Sequence, residues 1–392
     1  MSPEVQYQAD VDSVGILGYS QAHGVSLAMR VLHGPVNVGN QPWVLSRYER
    51  LLGIQSDLVV NYSTLLGYQV DRCLSEYAKK SPQALRNRLL FGLSAPLRYQ
   101  VLHYYFGRSF LCWDDYSSPA LWWFGDLKLA KMLGRKVFMT LQGCDVRVSE
   151  LSAARNAFTP CHAGHCPAVP VCRSTLDAQR QALIREVLPK VHRVFVLNPE
   201  LAHYVPGAVF LPYASVDVEA IEPIWPKPDG PAVILHAPSD EGIKGSRLIV
   251  AALERLQQRM PIEFVLVKGL PHAEAMQLYQ RADLVIDQVL AGWYGGFAVE
   301  AMAMGKPVAC YIREADLCYI PETMRAELPF IRLTPETIEA DVAAALARRA
   351  EWPQWGQQAR AFVLRWHHPR RLAEAMIRAY QDPLSRFYLE SV

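Results

Sequence analysis

Strand-like and helix-like segments alternate along most of the chain, and this alternation limits the fold more than any other feature of the sequence. Helical segments such as QPWVLSRYERLLG (41–53) lie between short runs rich in β-branched and aromatic residues. A strand–helix–strand order of this kind is typical of a parallel sheet covered by helices on both faces. In the first half the strand-like runs are RVLHGP (30–35), SDLVVNY (56–62), YQVLHYYF (99–106), KVFMTLQG (136–143) and RVFVLN (193–198).

A proline-rich segment interrupts the alternation and predicts a division into two domains. Residues 213–232 carry four prolines and few helix formers, which is typical of an interdomain linker. The alternation then restarts, with strand-like runs at PAVILHAP (231–238), IEFVLVKG (262–269), DLVIDQVL (283–290) and PVACYI (307–312). We therefore predict two doubly wound α/β domains that face each other across a cleft. The predicted parts are a first domain (1–212), a linker (213–230), a second domain (231–375) and a C-terminal helix (376–392) that packs back on the first domain.

Composition excludes several classes of protein. The chain has 392 residues, about half of them apolar, and a net charge of +2, which gives no argument for nucleic-acid binding. No apolar run approaches the roughly 20 residues that span a bilayer, and residues 1–30 lack the pattern of a secretory signal. We expect a soluble, cytoplasmic protein.

Cysteine and histidine are concentrated in one segment, CHAGHCPAVPVC (161–172). Such a group could hold a structural zinc, but its spacing matches no standard Cys-x-x-Cys pair, and ordinary or redox-sensitive thiols are the alternative. The residues concerned are Cys161, Cys166, Cys172, His162 and His165, with Cys144 a little upstream.

Two loops of the second half carry residues suited to an anionic ligand. Gly295 and Gly296 follow a strand and precede a helix that begins near Phe297, so the backbone can approach a phosphate there, or the glycines only form the turn. Glu300 can accept hydrogen bonds from sugar hydroxyls or cap its own helix. Lys244 lies in a glycine-bounded loop after another strand, where it can neutralise a phosphate or remain a solvated charge.

These motifs together resemble the nucleotide-binding half of GT-B glycosyltransferases, in particular the retaining family-4 enzymes. The resemblance rests on IKGSRLIVAALERL (243–256), ADLVID (282–287) and EAMAMGKPV (300–308), and it covers about residues 231–312. It implies the GT-B fold and a nucleotide-diphosphate sugar as donor substrate.

The resemblance also implies roles for single residues. Lys244 would contact the donor diphosphate and Glu300 the ribose, while Gly295, Gly296 and Phe297 would lie beside the phosphates and the transferred sugar. The turn near Lys268 and Leu270 would border the base. The sequence departs from the family at two positions. Gly292 stands where the family carries an acid, and Ser239 stands where it carries an arginine, so that Ser239 can offer the phosphates one hydrogen bond but no charge.

The first domain supplies further candidates for the cleft. GPVNVGN (34–40) resembles the family's glycine loop near the donor phosphates and brings Gly39 and Asn40 to the turn, although a plain turn with Asn40 as helix cap is the alternative. In TLQGCDVR (140–147), Asp145 can contact sugar hydroxyls or act as a base. The alternative is that Asp145 pairs with Arg147 and only fixes the loop.

A basic stretch at 72–108 holds seven Lys and Arg residues against one acid. It can be a solvated helix face, or it can contact an anionic membrane or receive a lipid-linked acceptor. The acceptor is otherwise predicted only as a carbohydrate or small molecule, and the protein as cytoplasmic or peripheral on the inner face of the membrane.

The resemblance implies transfer of a sugar with retention, without a metal ion or other cofactor, in the assembly of cell-surface polysaccharide or glycoconjugates. No pair of carboxylates indicates a double-displacement nucleophile, so front-face transfer is expected. Two alternatives remain: a sugar-nucleotide-binding partner subunit, which the departures at Ser239 and Gly292 favour, and a GT-B-like epimerase. A dinucleotide dehydrogenase is disfavoured because no G-x-G-x-x-G follows the first strand.

Overall fold

The computed structural model describes residues 29–64, 66–75, 81–112, 123–387 and 389, and these residues form two separate parallel sheets. The first sheet has the order β3-β2-β1-β4-β5-β6-β7 and the second the order β12-β11-β10-β8-β9. The strands of the first are β1 (Arg30–Gly34), β2 (Gln55–Tyr62), β3 (Arg72–Ser75), β4 (Val101–Tyr105), β5 (Lys136–Leu141), β6 (Arg193–Val196) and β7 (Val209–Phe210). Those of the second are β8 (Ala232–His236), β9 (Ile262–Leu266), β10 (Leu284–Ile286), β11 (Val308–Cys310) and β12 (Ile331–Arg332).

Helices connect the strands and cover the sheets. They are α1 (Gln41–Leu51), α2 (Pro82–Arg98), α3 (Gly125–Met132), α4 (Ser149–Arg155), α5 (Val169–Val171), α6 (Asp177–Ala182), α7 (Glu241–Lys244), α8 (Ser246–Gln257), α9 (His272–Tyr279), α10 (Gly296–Ala303), α11 (Glu322–Ala326), α12 (Ile338–Ala347), α13 (Trp352–Trp366) and α14 (Pro369–Gln381). Shorter 3₁₀ or π turns lie at Cys172–Leu176, Leu183–Val187, Leu188–Lys190, Pro199–His203, Glu314–Tyr319 and Arg349–Glu351. Within the described ranges no helix has both the length and the apolar character needed to cross a membrane.

The predicted α/β class and the two-sheet architecture are confirmed. All five strands predicted in the first half occur, because each is a run of apolar residues buried on both faces, as a central parallel strand must be. The strands β3, β7 and β12 were not predicted. All three lie at sheet edges and span four residues or fewer, so their sequences carry little periodicity.

Both sheets reverse their strand order at one point, and there the loops leave a crevice. The reversal lies between β1 and β4 in the first sheet and between β8 and β10 in the second. Ligands of doubly wound sheets bind outside the carboxyl ends of the strands at such a point. The four loops that follow these strands are therefore where the topology places a site.

The last helix of the chain, α14, packs against α1 and the first sheet. The Tyr380 hydroxyl lies 2.7 Å from Nδ1 of the buried His103, whose Nε2 lies 2.7 Å from the Thr140 hydroxyl. Lys136 Nζ donates to the carbonyl oxygens of Tyr380 at 2.8 Å and Gln381 at 2.7 Å. Burial lowers the pKa of His103, and the nearby His33 lowers it further, so this imidazole is a neutral structural group.

Candidate functional site

A cavity of about 350 Å³ lies where the loops of the two sheets meet. Its lining includes residues that follow all four strands at the reversal points. These are Val38 and Gly39 after β1, Phe106 after β4, Ser239 and Lys244 after β8, and Trp293, Tyr294, Gly295, Gly296 and Phe297 after β10. Gln142, Gly143, Cys144, Arg147, Lys268, Leu270, His272 and Glu300 also line it. The cavity therefore belongs to both domains.

Lys244 is held at the cavity by a buried carboxylate. Asp240 caps the short helix α7, because its side chain accepts a hydrogen bond from the Ile243 N–H at 2.8 Å, and Gly245, with a positive φ, follows the helix. Lys244 Nζ then lies 2.5 Å from Oδ1 of Asp287. Asp287 follows β10 and is fully buried, whereas the Lys244 side chain keeps a small exposed fraction. The ammonium is thus fixed in place but remains accessible from the cavity.

The glycine turn converges on the same carboxylate. The Gly295 N–H donates to Oδ2 of Asp287 at 2.7 Å, so one carboxylate joins the Lys244 loop to the start of α10. A Cβ placed on Gly295 would stand 2.9 Å from Lys244 Nζ, which explains the glycine. The first N–H groups of α10, which begins at Gly296, have no partner within the helix. Together with Lys244 they form a concentrated group of donors for an anion.

Asp287 was not identified as a site residue from the sequence, although it lies in the ADLVID motif. The signal available was an acidic residue at the end of an otherwise apolar buried strand. Such a residue must find a partner, because an isolated buried carboxylate is very costly. No local pattern indicates that the partner is Lys244, because the two residues are separated by 43 positions.

Glu300 pairs with His272 rather than capping its own helix. Its Oε1 lies 2.7 Å from His272 Nε2, and α10 has no side-chain cap. Burial works against a charged His272, but the hydrogen bond and the charge of Glu300 outweigh it and raise the pKa of His272. His272 was not predicted. It also contacts the first domain, because its N–H donates to the Leu66 carbonyl at 3.2 Å and its ring lies 5.0 Å from that of Tyr68.

Of the two residues predicted in the first glycine loop, one lines the cavity and the other does not. Gly39 lines the cavity and has a φ of 63°, whereas Asn40 does not line it. Asn40 has no side-chain capping bond to α1. Its Nδ2 donates instead to the Ser215 carbonyl at 3.3 Å, in the segment that joins the two sheets.

Asp145 lies outside the cavity, which corrects its predicted place at the edge of the cleft. Its carboxylate is fully buried and accepts the N–H groups of Gln142 at 3.0 Å and Gly143 at 2.7 Å. Burial raises the pKa of Asp145, and these two bonds partly offset the rise. These contacts favour the second of the two predicted roles, in which Asp145 fixes the conformation of its loop. The predicted pairing of Asp145 with Arg147 does not occur. Arg147 binds Glu200 instead, with Nε 3.0 Å from Oε2, and itself lines the cavity.

The space beside Gly292, the position at which the resembled family carries an acid, is filled by the side chain of Arg313 from a later loop. Gly292 has a φ of 77°, and a Cβ on it would stand 2.6 Å from the guanidinium of Arg313. Arg313 is buried, and its NH1 donates to Asp316 at 2.9 Å while its NH2 donates to the Phe158 carbonyl at 2.8 Å. Gly292 is therefore required by the packing of a contact between the two domains.

The cysteine-rich segment supports the Lys244 loop from the side of the first domain. Among the described residues no group of three or more Cys, His, Asp or Glu is arranged to hold a metal ion. His162 Nε2 lies 2.9 Å from the Asn156 carbonyl oxygen and His165 Nδ1 lies 2.9 Å from that of Thr159. The Cα of Cys166 would lie 2.9 Å from a Cβ on Gly242, so this loop packs directly on α7.

The charge of the cavity suits a diphosphate. The cationic heads of Arg147, Lys244 and Lys268 line the cavity, while the carboxylates that pair with them, from Glu200, Asp287 and Glu241, do not line it. His272 has a raised pKa, and Glu300 is the one acid among the described lining residues. A cavity with several cations and free backbone N–H groups favours a ligand with more than one negative charge.

Comparisons with known proteins identify the fold. No family model and no curated protein matches the sequence. Solved structures match nearly the whole chain. A sucrose-phosphate synthase from Thermosynechococcus elongatus is 13% identical, with 90% of this chain and 98% of that chain covered and a TM-score of 0.57. Anabaena HepE in complex with UDP-glucose is 10% identical, with 91% and 100% covered and a TM-score of 0.54.

A third structure with the same fold carries a different activity in its name. A protein from Listeria monocytogenes described as a UDP-N-acetylglucosamine 2-epimerase is 12% identical, with 91% of this chain and 98% of that chain covered and a TM-score of 0.51. At such identities the likeness establishes the fold alone. The chain therefore has the two-domain GT-B architecture that the motifs predicted, and membership of the retaining family-4 group stays a prediction.

Proposed function

We propose that this protein transfers a sugar, with retention of configuration, from a nucleotide-diphosphate sugar to a hydroxyl group of an acceptor. The observation that carries the proposal is the convergence of Lys244 and the Gly295 turn on Asp287, within a cavity bounded by both sheets. An ammonium and the N–H groups of a helix start, fixed side by side, are suited to bind a diphosphate.

The remaining lining residues complete a site for the nucleotide. The diphosphate lies against Lys244 and the start of α10, and Glu300 accepts the ribose hydroxyls. His272 occupies only Oε1 of Glu300, which leaves Oε2 for the ligand. The base lies toward the turn at Lys268 and Leu270, which also lines the cavity. Ser239 borders the phosphates at the exposed edge, where its hydroxyl can donate one hydrogen bond.

The geometry suits a reaction in which the leaving diphosphate takes part. As the bond between the sugar carbon and the phosphate oxygen breaks, negative charge builds on the diphosphate, and Lys244 and the start of α10 stabilise it. The leaving oxygen then accepts the proton of the attacking hydroxyl on the same face of the sugar. Asp287 and Asp145 are fully buried, with their carboxylates bound to partners of the protein, so neither is free to act as a covalent nucleophile. This favours front-face transfer without a metal ion.

Two other functions have specific support. The first is an epimerase, because the Listeria structure, which has the same fold, is described as one. The absence of an acid at Gly292 and of an arginine at Ser239 favours a partner subunit that binds sugar nucleotides without turnover. From the resemblance to the family we further propose that the reaction belongs to the assembly of cell-surface polysaccharide or glycoconjugates and takes place in the cytoplasm.

A nucleotide-sugar screen tests the proposal. UDP-, GDP- and other nucleotide sugars are added to the protein, and the shift in melting temperature and the release of nucleoside diphosphate with and without acceptors are measured. We expect one nucleotide series to raise the melting temperature by mass action, and Glu300→Ala to remove the preference for nucleotide over free sugar. Glu274→Ala is the matched control, because Glu274 is an exposed carboxylate on α9 outside the cavity lining.

Each outcome of the screen distinguishes the candidate functions. Acceptor-dependent release of nucleoside diphosphate supports transfer. Conversion of the donor to an isomeric sugar nucleotide without an acceptor supports the epimerase. Tight binding without any turnover supports the partner subunit, and no thermal response to any nucleotide sugar contradicts all three.

A further inference from the structure

The outer surface of α2 and α3 carries a cluster of uncovered apolar side chains. Of the fourteen large apolar side chains that are exposed in the described part of the chain, six lie on this surface, with Leu97 65% exposed and Met132 83% exposed. Single exposed leucines are ordinary, but a cluster of this kind marks a contact surface. We call it the leucine face, and it consists of Leu85, Leu90, Leu93, Leu97, Met132 and Leu133.

The leucine face is one continuous surface because the two helices adjoin. Leu90, Leu93 and Leu97 are spaced by three and four residues and therefore lie on the same side of α2. The opposite side of α2, with Phe91 and Ala95, is buried against the sheet. The chain just beyond α3 returns to the end of α2, where Arg135 Nε donates to the Pro96 carbonyl at 2.8 Å.

The charged side chains that α2 and α3 expose among the described residues have one sign. Arg86, Arg98, Lys128 and Lys131 are exposed and form no ion pair with any residue that the structure describes. The single acid on α2 and α3 is Asp126, which is fully buried and accepts hydrogen bonds from the Ser109 hydroxyl at 2.6 Å and the Phe110 N–H at 2.9 Å.

A carboxylate beside the end of α2 is already engaged. Asp57 accepts the Tyr99 hydroxyl at 2.8 Å and lies 3.9 Å from Arg30. Arg86, Arg98, Lys128 and Lys131 are therefore not neutralised within the described chain.

We propose that the leucine face docks on the surface of an anionic phospholipid bilayer. The aliphatic side chains enter the boundary between headgroups and acyl chains, and the four cations contact the anionic headgroups. Protein interfaces usually depend on buried aromatic anchors, whereas the leucine face consists of five leucines and one methionine. The proposal rests on this surface alone and does not depend on the reaction catalysed in the cavity.

Vesicle flotation tests the proposal with the full chain. Vesicles of phosphatidylcholine alone and of phosphatidylcholine with phosphatidylglycerol are mixed with the protein, and the bound fraction is measured at low and high salt. We expect binding only to the vesicles with phosphatidylglycerol, and a weaker bound fraction at high salt because the headgroup contacts are screened. Equal binding to both vesicles, or binding to neither, would overturn the proposal.

Two sets of variants separate the apolar and the charged contributions. Leu90→Ser with Leu97→Ser is expected to abolish flotation, whereas Leu51→Ser with Leu384→Ser, at exposed leucines elsewhere, is expected to leave it unchanged. Each of Arg86→Gln and Arg98→Gln is expected to lower the partition coefficient about fivefold, and Arg173→Gln is the control at an exposed arginine on another surface.

Two measurements exclude indirect effects. Light scattering after gel filtration reports whether the leucine face instead joins two copies of the chain. A dimer that Leu90→Ser with Leu97→Ser dissociates, and that does not float, would replace the bilayer as the partner. Nucleotide binding is measured in the same variants, and we expect it to be unchanged because the substituted residues lie outside the cavity lining.

Discussion

Both oxygens of the Asp287 carboxylate are engaged, one by the Lys244 ammonium and the other by the Gly295 N–H. At the scale of single residues, this arrangement explains how the ammonium group of Lys244 is held at the wall of the cavity by contacts within the protein. The carboxylate compensates the charge of Lys244, and the glycine leaves the ammonium the space it needs. We expect the same donors to contact the diphosphate of the proposed donor substrate.

Replacing Lys244 by Ala is expected to destabilise the fold as well as to weaken donor binding. The change leaves Asp287 as a buried charge without its partner, which costs about 3 kcal/mol. Denaturant unfolding measures this loss, and Lys244→Ala with Asp287→Asn is expected to recover much of the free energy of unfolding but none of the nucleotide affinity. Equal stability of wild type and Lys244→Ala would show that the pair does not form.

Replacing Gly292 by Ala is expected to lower the free energy of unfolding by more than backbone strain alone explains. A left-handed backbone costs a residue with a side chain about 1 kcal/mol or more, and the new Cβ would also meet the Arg313 guanidinium. Gly134→Ala is the control, because Gly134 has a φ of 67° and nothing within 4 Å of an added Cβ. An equal loss in both variants would refute the clash.

At the scale of elements, α9 and α10 are joined by the pair of His272 and Glu300. His272 is the first residue of α9, and Glu300 lies in the second turn of α10. The same histidine contacts the loop of Leu66 and Tyr68 in the first domain. Helix α10, which carries Glu300, is thereby tied to the opposite wall of the cavity.

The His272–Glu300 pair predicts a pH dependence of stability. The pKa of His272 is raised in the folded protein, so the pair contributes fully below the ordinary histidine pKa of about 6.5 and the contribution is lost as pH rises through the higher folded pKa. The difference in free energy of unfolding between wild type and His272→Gln should therefore shrink as pH increases from mildly acidic to alkaline. A difference that stays constant or grows with pH would contradict the pair.

The elements were more predictable from sequence than the contacts between them. A buried parallel strand is a local property, visible as a short apolar run such as LVI in β10, and the helix start at the Gly295–Gly296 turn is signalled by its glycines. The partners of Glu300 and Lys244 depend on how distant loops meet, and no local pattern encodes them. For the same reason the sequence did not reveal the contacts of Asp145. Its carboxylate was predicted at the edge of the cleft, but it accepts hydrogen bonds from the backbone N–H groups of its own loop.

At the scale of the whole molecule, buried charges join the two domains beside the cavity. Asp316 of the second domain accepts hydrogen bonds from Arg155 at 2.6 Å and Arg313 at 2.9 Å, and its Oδ1 lies 3.1 Å from His203 Nε2. Arg155 and His203 belong to the first domain. Removing the carboxylate leaves the guanidinium groups of Arg155 and Arg313 without their shared partner, so the contact is specific to the arrangement of domains that the structure shows.

Replacing Asp316 by Ala is expected to open the cleft. The two domains then lose a buried charge contact and gain repulsion between Arg155 and Arg313, which should increase the radius of gyration measured by small-angle X-ray scattering. Glu314→Ala is the matched control, because Glu314 is exposed and pairs with Arg332 within the second domain. An unchanged radius in Asp316→Ala would show that this contact does not hold the domains together.

The most direct test of the account is a crystal structure with a bound nucleoside diphosphate. The account predicts that the diphosphate lies within hydrogen-bond distance of Lys244 Nζ and of the first N–H groups of α10, and that the ribose hydroxyls contact Glu300. A nucleotide bound outside the cavity, or bound in it with the ribose directed away from Glu300, would contradict the account.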